Sequence, residues 1–312
     1  MINMTKHFFL YSLLWLMCVF LTGCGDAGSS LEAPGSASGT SAGRNNEPQV
    51  LVPSADALTV SSSDTASIDA SHTDQGYVMV RCSEEIDNIR LQILSPDDVT
   101  YTYFMTSTDS YETFPLTAGD GSYMVCVYEN IAEDKYALIL SQDLDVTLEN
   151  EFLPFLYPNQ YVNFSPDDKT VQKAAELARD CETDLDVIRN VFYYVVENIT
   201  YDYDLAENVE YGYLPDNTRT LESGTGICFD FASLMTAMLR SLRIPTRLDV
   251  GYAGDAYHAW LSTYTPETGW IENIIRFDGS SWTLMDPTFA SQTDGKEDVV
   301  GDGSSYLVKY VY

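Results

Sequence analysis

The chain has 312 residues and carries 47 Asp and Glu against 16 Lys and Arg, a formal net charge of −31. A balance this acidic argues against nucleic acid and against electrostatic docking on anionic lipid, and it favours neutral or basic partners. The six cysteines and three histidines include no Cys-x-x-Cys pair and no His cluster for zinc, and no Asp-rich loop has calcium-ligand spacing, so neither metal nor cofactor is predicted.

In chain order, residues 1–23 read as an export signal. Lys6 precedes an apolar stretch from Phe8 to Leu21, which is shorter than the roughly 20 residues a spanning helix needs. It closes on Leu21-Thr22-Gly23-Cys24, which resembles a bacterial lipobox, with small residues before a thiol that takes the lipid. Cys24 is therefore the predicted lipidation site, and the predicted location is the outer face of a bacterial cell membrane. Residues 24–50 are rich in Gly, Ser, Ala and Pro and read as the lipidated Cys followed by a flexible tether.

Residues 51–150 are all-β in pattern. Tyr77–Cys82, Ile89–Leu94, Tyr101–Met105, Gly121–Glu129 and Tyr136–Leu148 alternate or are rich in β-branched and aromatic residues. Turn clusters such as Ser95-Pro96-Asp97-Asp98 separate them. This predicts a small antiparallel, immunoglobulin-like sandwich, acting as a spacer or as a module that touches substrate or cell wall. Cys82 and Cys126 both fall in strand-like runs and could pair, whereas Cys181 reads as a spare buried thiol at a helix end.

Residues 151–312 switch to helices followed by strands, the order expected of an α+β domain. Helices are predicted over Val171–Ala178, Asp184–Asn198 and Phe229–Leu242, and a closing strand over Tyr306–Tyr312. The third helix places Phe231, Leu234, Met235, Met238, Leu239 and Leu242 on one face, to be buried against a sheet. An extended hairpin is expected over Thr265–Ser281, where Pro266, Gly269 and Asp278-Gly279 supply turn chemistry.

Three residues in this half have contexts that suit nucleophilic chemistry. Cys228 opens the third helix, where the macrodipole favours the thiolate form. His258 heads the strand-like Tyr257-His258-Ala259-Trp260-Leu261, and Asp286 lies in Trp282-Thr283-Leu284-Met285-Asp286. An imidazole beside a thiol can take its proton, and a carboxylate on the far ring nitrogen fixes the tautomer. His7 lies in the signal and His72 in a polar stretch, so His258 is the one candidate for a base. The Tyr-rich run Asn208–Tyr213, just before the Cys loop, could line a cleft.

Residues 151–312 resemble the transglutaminase-like superfamily of papain-type cysteine enzymes. The resemblance runs through Tyr157-Pro158-Asn159-Gln160-Tyr161, Gly226-Ile227-Cys228-Phe229-Asp230-Phe231-Ala232, Ile244-Pro245-Thr246-Arg247, His258-Ala259-Trp260 and Asp286-Pro287-Thr288. It implies Cys228 as nucleophile, His258 as general base and acid, and Asp286 as orienting carboxylate. The Cys228 main-chain N–H would donate to the oxyanion, with Tyr201 or Tyr203 as candidates for a second donor. One departure is Arg243, where the family usually has the Gly that suits a left-handed helix end; Arg there costs on the order of 1 kcal/mol. The implied activity is acyl transfer on peptide or protein amides through a thioester, hydrolytic rather than cross-linking. The alternatives are a true protein-cross-linking transglutaminase and a surface-anchored binding or scaffold protein whose papain-like domain is idle.

Overall fold

Short turns and period-two burial build the first part of the chain from antiparallel strands. In the computed structural model, which describes residues 44–83, 88–272, 275–277, 282–284 and 306–312, these are β1 (Val60–Ser62), β2 (Ala66–Asp69), β3 (Tyr77–Cys82), β4 (Arg90–Leu94), β5 (Thr100–Phe104), β6 (Glu112–Pro115), β7 (Gly121–Ala132) and β8 (Lys135–Val146). They form two four-stranded sheets, ordered β1-β2-β3-β6 and β5-β4-β7-β8. The non-sequential neighbours, β3 with β6 and β4 with β7, pair antiparallel in the manner of an immunoglobulin-like sandwich. Alternate residues turn inward: Leu91 and Ile93 of β4 and Tyr101 and Tyr103 of β5 are buried, as are Val78 and Val80 of β3. Cys82 in β3 and Cys126 in β7 stand in different sheets as free thiols, so they do not form the pair that their strand contexts allowed.

The rest of the chain is α+β. Helices α1 (Lys169–Ala178), α2 (Asp184–Asn198), α3 (Tyr203–Asn208), α4 (Asn217–Ser223) and α5 (Cys228–Ser241) precede a sheet of β11 (Thr246–Ala253), β12 (Ala256–Thr265), β13 (Gly269–Ile271) and β16 (Tyr306–Val311), with β9 (Thr200–Tyr201) and β10 (Thr225–Gly226) as a short parallel pair. The sheet order is β13-β12-β11-β16. Of Thr265–Ser281, where an extended hairpin is expected, the described residues include β13, paired antiparallel with β12, and β14 (Ile275–Phe277). Strand β14 pairs antiparallel with β15 (Trp282–Leu284) beyond that stretch, and residues 273–274 and 278–281 lie outside the described residues. A reciprocal capping box starts α2: Asp186 N–H donates to Thr183 Oγ1, and Thr183 N–H to Asp186 Oδ2, each at 3.1 Å.

Helix α5 is the hub. Every residue from Asp230 to Ser241 is buried, and Phe231, Leu234, Met235 and Met238 share one core with Leu248, Val250, Ala259 and Leu261 of β11 and β12. Its end is a Schellman motif: Ile244 N–H donates to Leu239 O, and Arg243 N–H to Arg240 O, both at 3.0 Å. Arg243 takes the left-handed conformation, φ 63°, the backbone geometry that Gly usually supplies at a helix end. Arg240 is fully buried and donates to the main-chain oxygens of Thr246, Tyr157 and Tyr312 at 2.8, 2.7 and 2.6 Å. Burial works against its charge, and the three carbonyls offset that cost while tying α5 to the sheet.

Residues Gly43–Tyr312 cluster as one unit. An aromatic seam joins the sandwich to α5: Tyr103 stacks on Tyr161 with centroids 5.6 Å apart, and Tyr161 meets Tyr312 at 4.5 Å and Phe229 at 5.4 Å. Within the stretch read as a tether, the described residues 44–50 lie against the helices. Arg44 Nε donates to Asp184 Oδ1 at 2.7 Å, and Gln49 N–H to Ser241 O at 2.8 Å. The signal peptide and Cys24 fall outside the described residues.

Candidate active site

Cys228 is the first residue of α5 and is half-buried. As the first helical residue its N–H has no carbonyl one turn back to bond within the helix, which leaves it suited to a developing oxyanion. The chain leading to it is pinned by the parallel pairing of β9 with β10: Thr200 N–H donates to Gly224 O at 2.8 Å, and Asp202 N–H to Gly226 O at 2.9 Å. Tyr201 is thereby opposite Gly226, two residues before the thiol. Tyr203, the first residue of α3, is 63% exposed and in edge contact with Tyr201 at 4.9 Å.

Beneath the thiol lies a polar network that the sequence reading did not find. Asp230, fully buried in the first turn of α5, accepts Ile227 N–H at 2.9 Å and both approaches of the Tyr213 hydroxyl, at 2.7 and 2.9 Å. Arg219, near the start of α4, donates to Asp230 Oδ1 at 3.1 Å and to the Tyr213 hydroxyl oxygen. Burial raises the Asp230 carboxyl above its ordinary range, while Ile227 N–H, Tyr213 and Arg219 pull it the other way. Glycine is required next to it, because a Cβ on Gly226 would come 2.7 Å from Asp230 Cβ. Asp230 was visible in the motif as a first-turn carboxylate, but its partners come from a loop and a short helix with no periodic signal.

His258 lies in β12, is 7% exposed, and pairs in register with Gly251 of β11. Gly251 cannot be exchanged for a larger residue without moving β16, since a Cβ there would sit 2.0 Å from Leu307 O. The His258 ring stacks on Trp260, two residues on, with centroids 6.2 Å apart and planes 23° from parallel. Trp260 is in turn capped edge-on by Tyr306 at 4.9 Å. Opposite Trp260 in the ladder is Asp249, which accepts Ser262 Oγ at 2.5 Å. Burial pushes the Asp249 carboxyl up to about 6 against the opposing pull of Ser262 and Arg247. Asp286 falls outside the described residues. His72, by contrast, belongs to the sandwich, where it meets Asp56 Oδ2 at 2.9 Å and stacks on Tyr77.

α5 carries the thiol and packs on the strand that carries His258. The aromatic neighbours strengthen that relation: Phe229, next to Cys228, touches Tyr161, and the Tyr161 phenol is raised by burial and then by the phenols of Tyr257, next to His258, and Tyr211.

The family described as the transglutaminase-like superfamily matches residues 171–273, a span that includes Cys228 and His258. The Bacillus subtilis protein YebA, itself uncharacterized, is 29% identical over 123 residues, covering 31% of this chain and 16% of that protein. Among solved structures, a candidate cysteine protease from Cytophaga hutchinsonii overlays 74% of this chain and 69% of its own at 16% identity and a TM-score of 0.35. Red sea bream transglutaminase overlays 70% and 49% at 15% identity and a TM-score of 0.30. This chain thus spans a small part of YebA and about half of the fish enzyme. Residues 171–273 match a transglutaminase-like domain, preceded by β-sheets in a mixed α and β chain.

Proposed function

We propose that this protein is a cysteine acyl-transfer enzyme that cleaves peptide or protein amides through a thioester on Cys228. The observation that carries the reading is the placement of Cys228 at the head of α5, with that helix packed on the strand bearing the only histidine of the C-terminal half. His258 takes the proton from Cys228 Sγ as the sulfur attacks the amide carbonyl, and the Cys228 N–H, with Tyr201 or Tyr203, donates to the oxyanion. The C–N bond then breaks, the amine leaves with the proton from His258, and water, deprotonated by the same ring, releases the acid. Asp286 orients the ring. Hydrolysis is favoured over cross-linking because amine transfer needs a channel that excludes water from the acyl-enzyme.

The test is alkylation by iodoacetamide across pH. Burial raises the Cys82 thiol to about 11 and also raises Cys126 and Cys181, so labelling near neutral pH reports on Cys228 in the form lacking Cys24. Cys228 is expected to react far faster than a free thiol, and His258→Ala to abolish the excess; an unremarkable rate in the parent protein would refute the reading.

We further infer, from Leu21-Thr22-Gly23-Cys24, that the enzyme is lipid-anchored on the outer face of a bacterial membrane. The parent protein should partition into the detergent phase of a Triton X-114 extraction and Cys24→Ser into the aqueous phase. Identical partitioning of the two would dismiss the anchor.

A further inference from the structure

The N-terminal end of α5 is ringed by tyrosines that bury little. Tyr211 is 84% exposed, Tyr203 63%, Tyr257 60% and Tyr252 39%. None of this exposed ring surface serves the core, and exposed aromatic surface beside a reactive centre is surface available for binding. The wall on one side is set by the sandwich. Phe104 at the end of β5 meets the Tyr211 ring edge-on at 5.1 Å, and Gly212 runs so close that a Cβ would lie 3.5 Å from the Phe104 ring. Gln160 holds the same strand end by donating to Phe104 O at 2.6 Å and to Glu112 Oε2 at 2.8 Å. The other wall is the β11–β12 hairpin, where Tyr252 and Tyr257 face each other across the ladder with centroids 5.5 Å apart. Tyr161 lies between the walls, against Phe229.

The loop and hairpin segments that carry the tyrosines are acidic, although Arg90 lies over the Phe104 ring at 5.5 Å on the sandwich side and exposed Lys309 stands on β16 beside β11. Residues 202–218 contain Asp202, Asp204, Glu207, Glu210 and Asp216 and no Lys or Arg, and residues 248–272 contain Asp249, Asp255, Glu267 and Glu272 and no Lys or Arg. Asp202 and Asp216 are used as helix caps and Asp249 is buried. Glu210 and Asp255, on the two walls, are exposed and form no ion pair among the described residues. Arg219, the first cation after the loop, is engaged by Asp230 and Tyr213. Tyrosine faces present negative π density, and exposed carboxylates on the same loop and hairpin add to their attraction for a cation. A neutral sugar or an aliphatic side chain would gain from the rings but nothing from the carboxylates.

We propose that this rim is a subsite for a Lys or Arg side chain of the peptide whose amide is attacked, with Tyr211 and Tyr257 as its platforms and Glu210 and Asp255 as its charge. The assignment of the peptide as acyl donor rests on the reading of Cys228 as nucleophile, so the test is one of binding and not of turnover. The full chain bearing Cys228→Ala is titrated calorimetrically, at low and at high salt, with capped hexapeptide amides that differ only in one central Lys, norleucine or Glu. The Lys peptide is expected to bind about tenfold more tightly than the norleucine peptide at low salt, with the Glu peptide weakest, and high salt should compress the difference. Tyr211→Ala and Tyr257→Ala, at exposed positions that leave the core intact, should each weaken the Lys peptide about threefold and leave the norleucine peptide within twofold. Equal affinity for Lys and norleucine, a Lys preference unchanged in both tyrosine variants, or no binding of any peptide would overturn the subsite. Slow alkylation of Cys228 in the parent protein would remove the nucleophile and leave this result standing, so the two failures are distinguishable.

Discussion

Cys228→Ala is expected to abolish amide hydrolysis, by on the order of 10⁶-fold, while leaving the cooperative unfolding transition in place. The size follows from the loss of the atom that forms the bond, and the tolerance from position: Cys228 is half-buried at the first turn, so removing its sulfur opens no enclosed cavity. His258→Ala should cost about as much, because thiol and ring act as one unit and removing either stops the same step. Asp286→Asn should cost less, on the order of 10⁴-fold, since it orients the ring and makes no bond to substrate. Cys181→Ala and Cys82→Ala serve as controls, for both thiols are buried away from the helix head and should leave turnover unchanged. Release of amine from a peptide amide, measured under saturating substrate, gives the comparison. Full turnover by Cys228→Ala would end the thioester mechanism.

What was legible in the sequence follows from where the physics is local. Helix α2 was readable to both ends because Thr183 and Asp186 cap each other within four residues and its apolar positions recur at helical spacing. The left-handed turn at Arg243 was not readable, because no Gly marks it and the Schellman hydrogen bonds that impose that backbone form only in the folded chain. Strand β4 showed itself through alternation and β3 and β7 through β-branched and aromatic content, whereas β2 is a four-residue strand buried at every position and gives no period-two signal. Helices α3 and α4 are too short for periodicity, and each begins on an Asp cap in a polar run that reads equally well as loop. The docking of residues 44–50 has no local signal because it depends mostly on hydrogen bonds from Arg44, Asn46 and Gln49 to distant helix ends, with Val50 the one residue of this stretch packed against the hydrophobic core. Chemistry was read from residue type and spacing; the support beneath it was not, because Tyr213 and Arg219 meet Asp230 only after the chain has folded.

That support is the basis of the last expectation: Asp230→Ala should lower stability by about 2–4 kcal/mol and remove the fast alkylation of Cys228. The carboxylate is the acceptor for Ile227 N–H, the peptide group immediately before the thiol, and the deletion leaves that donor, the Tyr213 hydroxyl and one Arg219 contact without their shared partner. A fully buried site cannot recruit water to replace all three, so the entry into α5 should loosen where the thiol and its N–H are aimed. Asp230→Asn separates support from charge. Its amide oxygen can still accept Ile227 N–H, so alkylation should be largely restored, whereas the ion pair with Arg219 is lost. The pH dependence gives a second readout. Burial raises the folded-state pKa of Asp230 above its unfolded value near 3.9, so the folded chain holds a proton that the unfolded chain has released. The stabilisation this gives is complete below about pH 3.9 and is lost as pH rises through the higher folded-state value. Asp249, raised to about 6, adds a slope of the same sign. Asp69, Glu176 and Asp186, with lowered pKa values, act in the opposite sense, so the readout is the difference. Urea unfolding from pH 4 to 8 should show a more negative slope of stability against pH in the parent protein than in Asp230→Asn. Parallel pH profiles for the two, or fast alkylation retained in Asp230→Ala, would show that Asp230 plays no part in positioning Cys228.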